Sequence, residues 1–197
     1  MMDLTERIVI NAIDAIGGGR TLPWGEKQID FTPPFARRTY DELFEEHAGV
    51  SASDEAGVKK LAEKIGFDTA GKHPDVIKSE VFEEFVEDKL VGPIFVCDYP
   101  ASICPLTKRK TSDPRVAERF EMFIQGMEIA NAYTELNDPD LQESLFKTQL
   151  AGMADRRQGI ADLVRDVGRQ AAEGGKLGLL RLLARARHVL HEHDREA

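Results

Sequence analysis

Apolar residues recur at three- and four-residue spacing at the start of the chain, where Leu4, Ile8, Ile10, Ala12, Ile13 and Ile16 form one stripe. This predicts a helix over 3–16, ended by Gly17-Gly18-Gly19. A turn-rich stretch with Pro23 and Trp24 follows, then a short extended segment over 27–31 that Pro33-Pro34 closes. Thr39, with Glu42 three residues later and then Leu43 and Phe44, is the capping-box start of a short helix. Ser53-Asp54-Glu55 opens another, carrying Val58, Leu61, Ala62 and Ile65. Residues 75–90 form the next, with Val76, Ile77, Val81, Phe82, Phe85 and Val86 on one side and acids on the other.

From Gly92 the period changes. Pro93 to Asp98 is a short, nearly continuous apolar run, as expected of a strand buried on both faces. Arg119 to Tyr133 reads as two strands about a Gln125-Gly126 turn, dense in aromatic and branched residues. Asp138-Pro139 starts a helix, Asp at the N-cap and Pro in the first helical position, running through Leu141, Leu145, Phe146 and Leu150. Everything after Gly152 reads as helical.

The charge adds a division that the periodicity does not show. The 197 residues carry 26 basic and 35 acidic side chains, a net −9. Residues 156–197 contribute +3, from eight Arg, one Lys and six acids, leaving −12 on residues 1–155. A broad positive field for nucleic acid is disfavoured for the first three quarters, so any RNA contact is local or lies outside this chain. No apolar run approaches the length of a membrane span, and the Met-Met-Asp-Leu-Thr-Glu start lacks the order of a signal peptide, so a cytoplasmic protein without membrane contact is expected. Cys97 and Cys104 are too few for a disulfide scaffold and read as two buried thiols.

Chemistry concentrates in the run RFEMFIQGMEIANAYTELNDP at 119–139. With Gln125 and Gly126 as a two-residue loop, Phe123 faces Glu128 and Glu121 faces Ala130, making Glu121 and Glu128 diagonal neighbours on one face. Carboxylates that close repel, and the remedies are a divalent cation, an Arg, or a raised pKa. Magnesium bridged to a nucleotide phosphate suits such a pair, and a solvated face with acids near Lys or Arg suits it as well. Asn131, Tyr133 and Glu135 have the opposite parity to Glu128, so they share its cavity only if a bulge falls between Glu128 and Asn131. Together they would suit a cationic ligand; a polar strand end leading into a capped helix is the alternative.

The segment GMEIANAYTELNDP at 126–139 resembles the metal- and lysine-binding strands of class II lysyl-tRNA synthetases. Supporting matches lie upstream in the same order: MMDLTE at 1–6, IDFTPPFARRTYDELF at 29–44, and the run from Phe82 to Lys108. The resemblance covers roughly residues 1–153. It implies an α+β fold, an antiparallel sheet of the class II synthetase type flanked by helices, to which the residue pattern after Gly152 adds a helical C-terminal tail. It also implies lysine, ATP and tRNA as substrates, Mg2+ as cofactor, and homodimers. Carried over by position, Glu121 and Glu128 hold magnesium and ATP, Asn131 and Glu135 contact the lysine side chain, and Tyr133 packs along it. No catalytic residue beyond these is assigned.

Members of that family are about twice this length or more. The dimer motif, the arginine-bearing second motif and the glycine-rich third motif that ends in Gly-x-Asp-Arg are not recognisable here. The nearest string to the third, GGKLGLLRLLARA at 174–186, would put Arg181 in that role only by guesswork. Two domains are expected: a partial synthetase catalytic domain over 1–155, and an Arg/Leu-rich helical tail over 156–197, a fusion, a diverged terminus or a frame change. His188, His191 and His193 in the tail read as an exposed helix end. A lysine–tRNA ligase with weak or no aminoacylation by this chain is the expectation; a non-catalytic lysine-binding or regulatory fragment is the alternative.

Overall fold

The computed structural model describes residues 1–148. A compact unit spans Met1–Gln142, and a second takes in Glu143–Ala197. The stretch after Gly152, with Arg181 and the three histidines, lies outside the described residues.

Helix α1 runs Met2–Ile16. Strands β1 (Thr21–Trp24) and β2 (Lys27–Asp30) form an antiparallel hairpin. Strand β3 (Ala36–Thr39) leads into helix α2 (Tyr40–Ala48), followed by helices α3 (Glu55–Lys64) and α4 (Pro74–Phe85). Strands β4 (Ile94–Cys97), β5 (Arg119–Ile124) and β6 (Met127–Tyr133) complete a four-stranded sheet in the order β3-β4-β5-β6. Pairing is antiparallel for β4-β5 and β5-β6 and parallel for β3-β4. The fold is α+β, a largely antiparallel sheet flanked by helices.

Local signals hold where chemistry fixes them. At α2, Thr39 Oγ1 accepts from Glu42 N at 3.3 Å and Glu42 Oε2 accepts from Thr39 N at 3.0 Å, the reciprocal bonds of a capping box. Asp54 caps α3 through Gly57 N at 3.1 Å. Asp138 Oδ1 accepts from the amides of Asp140 and Leu141, and residues 139–148 are helical.

The structure departs from the sequence pattern at three places. Thr21–Trp24, read as a turn, is a strand; Pro23 is tolerated because this hairpin has only two strands and its missing N–H faces no neighbour. Ala36–Thr39 carries two arginines and no alternation, yet it pairs with β4 because it sits at the sheet edge. Helix α4 ends at Phe85, and Glu87–Lys89 is a separate 3₁₀ turn.

The sheet is covered on both faces. On one, Val96 and Phe123 meet Tyr40, Leu43 and Phe44 of α2 and Val81 and Phe82 of α4. On the other, Phe95, Phe120, Met122 and Ile124 meet Ile10 and Ile13 of α1 and Ile29 of β2. Alternate residues of β4 and β5 thus serve opposite cores, which is why the run 93–98 is apolar throughout. Strand β6 forms the other edge, with five of its seven residues exposed.

Candidate functional site

The hairpin β5-β6 carries the candidate residues, and its register settles their faces. Ile124 pairs with Met127 and Phe123 with Glu128, as strict alternation predicts. The register then shifts: Met122 pairs with Ala130, Glu121 with Asn131 and Arg119 with Tyr133. The predicted Glu121–Ala130 pairing is therefore displaced by one, because Ile129 is an extra residue in a bulge. The bulge lies between Glu128 and Asn131, where the parity problem required it. Glu121, Glu128, Asn131 and Tyr133 all fall on the helix-covered face of the sheet.

The contacts agree with the register. Asn131 Nδ2 donates to Glu128 Oε1 at 2.6 Å. Past Tyr133 the chain stays extended, with Lys108 N donating to Thr134 O at 2.8 Å and Glu135 bridged to Thr107, so Glu135 continues the parity of Asn131 and Tyr133. Glu128, Asn131, Tyr133 and Glu135 are exposed, whereas Glu121 is buried at 6% exposure.

A buried carboxylate needs partners. The Tyr99 hydroxyl donates to Glu121 Oε2 at 2.5 Å, and Arg119 Nη2 donates to Glu121 Oε1. The Arg119 guanidinium lies over the Tyr99 ring at 4.9 Å, and its Nη1 donates to Cys104 Sγ at 3.4 Å. Tyr99 in turn packs on Tyr40 at 5.0 Å, and Tyr40 stacks on Phe82 at 4.0 Å. A continuous file of rings thus ties Glu121 to the core.

Electrostatics places a fourth group here. Burial, followed by the negative charges of Glu83, Glu121 and Glu128, pushes the Glu87 carboxyl from 4.5 up to about 7. Burial also raises Glu121, assisted by the charge of Glu128 and opposed by Tyr99 and Arg119. Two of the three remedies for crowded carboxylates, an arginine and raised carboxyl pKa values, are therefore present. Glu87 reaches the face from the 3₁₀ turn, which is strapped to the hairpin loop: Gly126 N donates to Leu90 O at 3.1 Å and Gln125 Nε2 to Val91 O at 2.6 Å.

Sequence reasoning missed Arg119, Tyr99 and Glu87. Arg119 was accessible, since it stands two residues before Glu121 and so on the same strand face. Tyr99 and Glu87 arrive through tertiary packing and leave no local signal. Cys97 and Cys104 are both free thiols, half-buried and buried respectively.

Among the described residues no group of three or more His, Cys, Asp or Glu is arranged to hold a metal ion alone. Magnesium bound with a nucleotide needs only one or two carboxylates, its other positions going to phosphate and water. Hard oxygens at Glu121 and Glu128, on one face of the hairpin, fit that requirement. A separate crevice of about 700 Å³ lies among α2, α3, α4 and the 98–116 loops. Its charges are largely paired: Lys78 with Asp41 and Asp75, Arg115 with Asp113.

An α+β fold with a largely antiparallel sheet flanked by helices agrees with the family to which the sequence aligns. A family model, tRNA synthetases class II (D, K and N), matches residues 1–185, and the chain belongs to this family. Among characterised relatives, it is 40% identical over 157 residues to a lysine–tRNA ligase of Clostridium acetobutylicum, covering 76% of this chain and 30% of that protein. It is 42% identical over 155 residues to one of Dehalococcoides mccartyi, with 76% and 31% covered. A lysine–tRNA ligase of Campylobacter jejuni is 38% identical over 154 residues. The chain thus spans about 30% of the length of the curated relatives it matches. No helix among the described residues is long and apolar enough to cross a membrane.

Proposed function

We propose that this chain carries the lysine and metal–nucleotide part of a lysine–tRNA ligase active site, in which lysine and ATP condense to lysyl-adenylate and the lysyl group passes to the terminal ribose of tRNA. The observation that carries the reading is the bulge at Ile129, which turns Asn131 and Tyr133 to the face that Glu121 and Glu128 share. Glu121 and Glu128 hold magnesium with ATP. When bound, magnesium supplies the positive charge that lets an anionic carboxylate approach an anionic α-phosphate. Asn131 and Glu135 take the lysine side chain, Glu135 as counter-ion to the ammonium, and Tyr133 packs along its methylenes. A neutral isostere would leave the Glu135 carboxylate without its cation, which supports discrimination for lysine.

The division into a synthetase-like body, residues 1–155, and a tail, residues 156–197, belongs to the same proposal and rests on the change from −12 to +3. Because the family match runs to residue 185, a diverged terminus is favoured over a fusion. A cytoplasmic setting and tRNA as the acceptor follow from the same reading.

Calorimetric titration of the chain with lysine, then with ATP and magnesium, beside a lysine-dependent pyrophosphate exchange assay, tests it. Lysine binding together with exchange abolished by Glu128→Gln is the expected result. Lysine binding without exchange moves the assignment to the second reading, a lysine-binding or regulatory fragment. Binding of neither ligand refutes both.

A further inference from the structure

We propose that Tyr99 is a positioning residue for Glu121: its hydroxyl holds one carboxylate oxygen away from Arg119, keeping Glu121 out of a two-pronged ion pair and available to a divalent cation. This rests on the reading of Glu121 as a metal–nucleotide ligand.

Arg119 uses its donors unevenly. Nη2 goes to Glu121 Oε1 and Nη1 to the Cys104 sulfur, while Nε is buried and has no partner. A guanidinium offers Nε and Nη2 side by side as a fork that matches both oxygens of a carboxylate. At two other arginines of this chain the fork closes. Arg20 grips Asp14 through Nε at 3.2 Å and Nη2 at 3.0 Å, and Arg115 grips Asp113 through Nε at 3.0 Å and Nη2 at 2.7 Å.

At Arg119 the fork stays half open, although an unpartnered buried N–H is costly. The difference is Tyr99, whose hydroxyl occupies Glu121 Oε2 at 2.5 Å. The ring cannot give way easily, because it is buried, with the Arg119 guanidinium over it and the Tyr40 ring packed against it. Without the hydroxyl, Oε2 would turn to Nε, satisfy the orphan donor and complete the fork. Both Glu121 oxygens would then be taken up by Arg119, and the carboxylate would be turned away from Glu128. Partners that orient a ligating carboxylate in this way typically change metal affinity by roughly 10- to 100-fold.

The test uses the whole 197-residue chain and Mn2+ with ATP as a paramagnetic probe, with protein-bound Mn2+ followed by water-proton relaxation and folding by thermal melts. Wild type should bind Mn2+, and Glu121→Gln should weaken that binding, which locates the ion. Tyr99→Phe, which keeps the ring, should weaken it by about 10-fold or more. Adding Arg119→Lys to Tyr99→Phe should recover much of the loss, because an ammonium has no fork to close. Wild-type Mn2+ affinity in Tyr99→Phe, with or without a lower melting temperature, overturns the inference by leaving Tyr99 a purely structural role. A loss that the second substitution does not recover overturns it too. If wild type binds no Mn2+, or Glu121→Gln changes nothing, the metal reading itself fails before Tyr99 is touched, and the inference falls with it.

Discussion

Gly126→Ala is a direct probe of how the hairpin that bears Glu121 and Glu128 is held. Gly126 has φ +73°, in the left-handed region, and a Cβ there would stand 3.2 Å from Asp88 Cα and 3.3 Å from Glu87 O. Those atoms are backbone of the 3₁₀ turn and cannot swing aside as a side-chain tip would. The left-handed conformation alone costs an alanine about 1–2 kcal/mol. Forcing the turn back by a few tenths of an ångström strains the bonds from Gly126 N to Leu90 O and from Gln125 to Val91 O, and overpacking of this kind costs about 1–3 kcal/mol. Gly49 provides the matched reference. It has φ +72° at the end of α2, and nothing lies within 4 Å of its Cβ position. Gly49→Ala should therefore lose only the conformational part, about 1–2 kcal/mol, and Gly126→Ala about 2–5 kcal/mol. Urea unfolding of both variants and wild type, read from the midpoints at constant slope, measures the difference. Equal losses would refute the claim that the turn and the hairpin loop are in firm contact.

Two further outcomes follow from the same contacts. Glu87 is raised from 4.5 to about 7 in the folded chain, so the folded state binds the extra proton between those values. Its contribution to stability is fully present below about pH 4.5 and is lost as pH rises through about 7, so the stability difference between wild type and Glu87→Gln should fall across that window in urea titrations at several pH values. A difference independent of pH would place Glu87 outside the carboxylate cluster. Phe82→Ala, which removes a side chain at 1% exposure stacked on Tyr40 at 4.0 Å, should cost about 3–5 kcal/mol in the same assay, and a loss under about 1 kcal/mol would contradict the packing of α4 on the sheet.

The chain by itself determined most of the elements whose information is local. The α1 helix, the capping box at Thr39 and Glu42, the Asp54 and Asp138 caps, the apolar run of β4 and the Gln125-Gly126 turn are each set by residues a few positions apart, and each is found where the pattern puts it, although of the α1 stripe only Ile10 and Ile13 are buried. Edge elements were not legible. Thr21–Trp24 and Ala36–Thr39 have neither alternation nor an apolar run, because an edge strand need bury little and is recruited by its neighbour's free backbone groups.

At the candidate site the same boundary applies. The sequence placed Glu121 and Glu128 on one hairpin and required a break in parity before Asn131. Only the folded sheet located that break at Ile129, since a bulge is a property of two strands in register and not of one. The surroundings of Glu121 were decided by tertiary structure alone. Tyr99, from the end of β4, and Glu87, from the turn after α4, converge on β5 across 22 and 34 residues of chain. A buried carboxylate takes its partners from whatever packing brings within reach, and no spacing along the sequence encodes which residues those are.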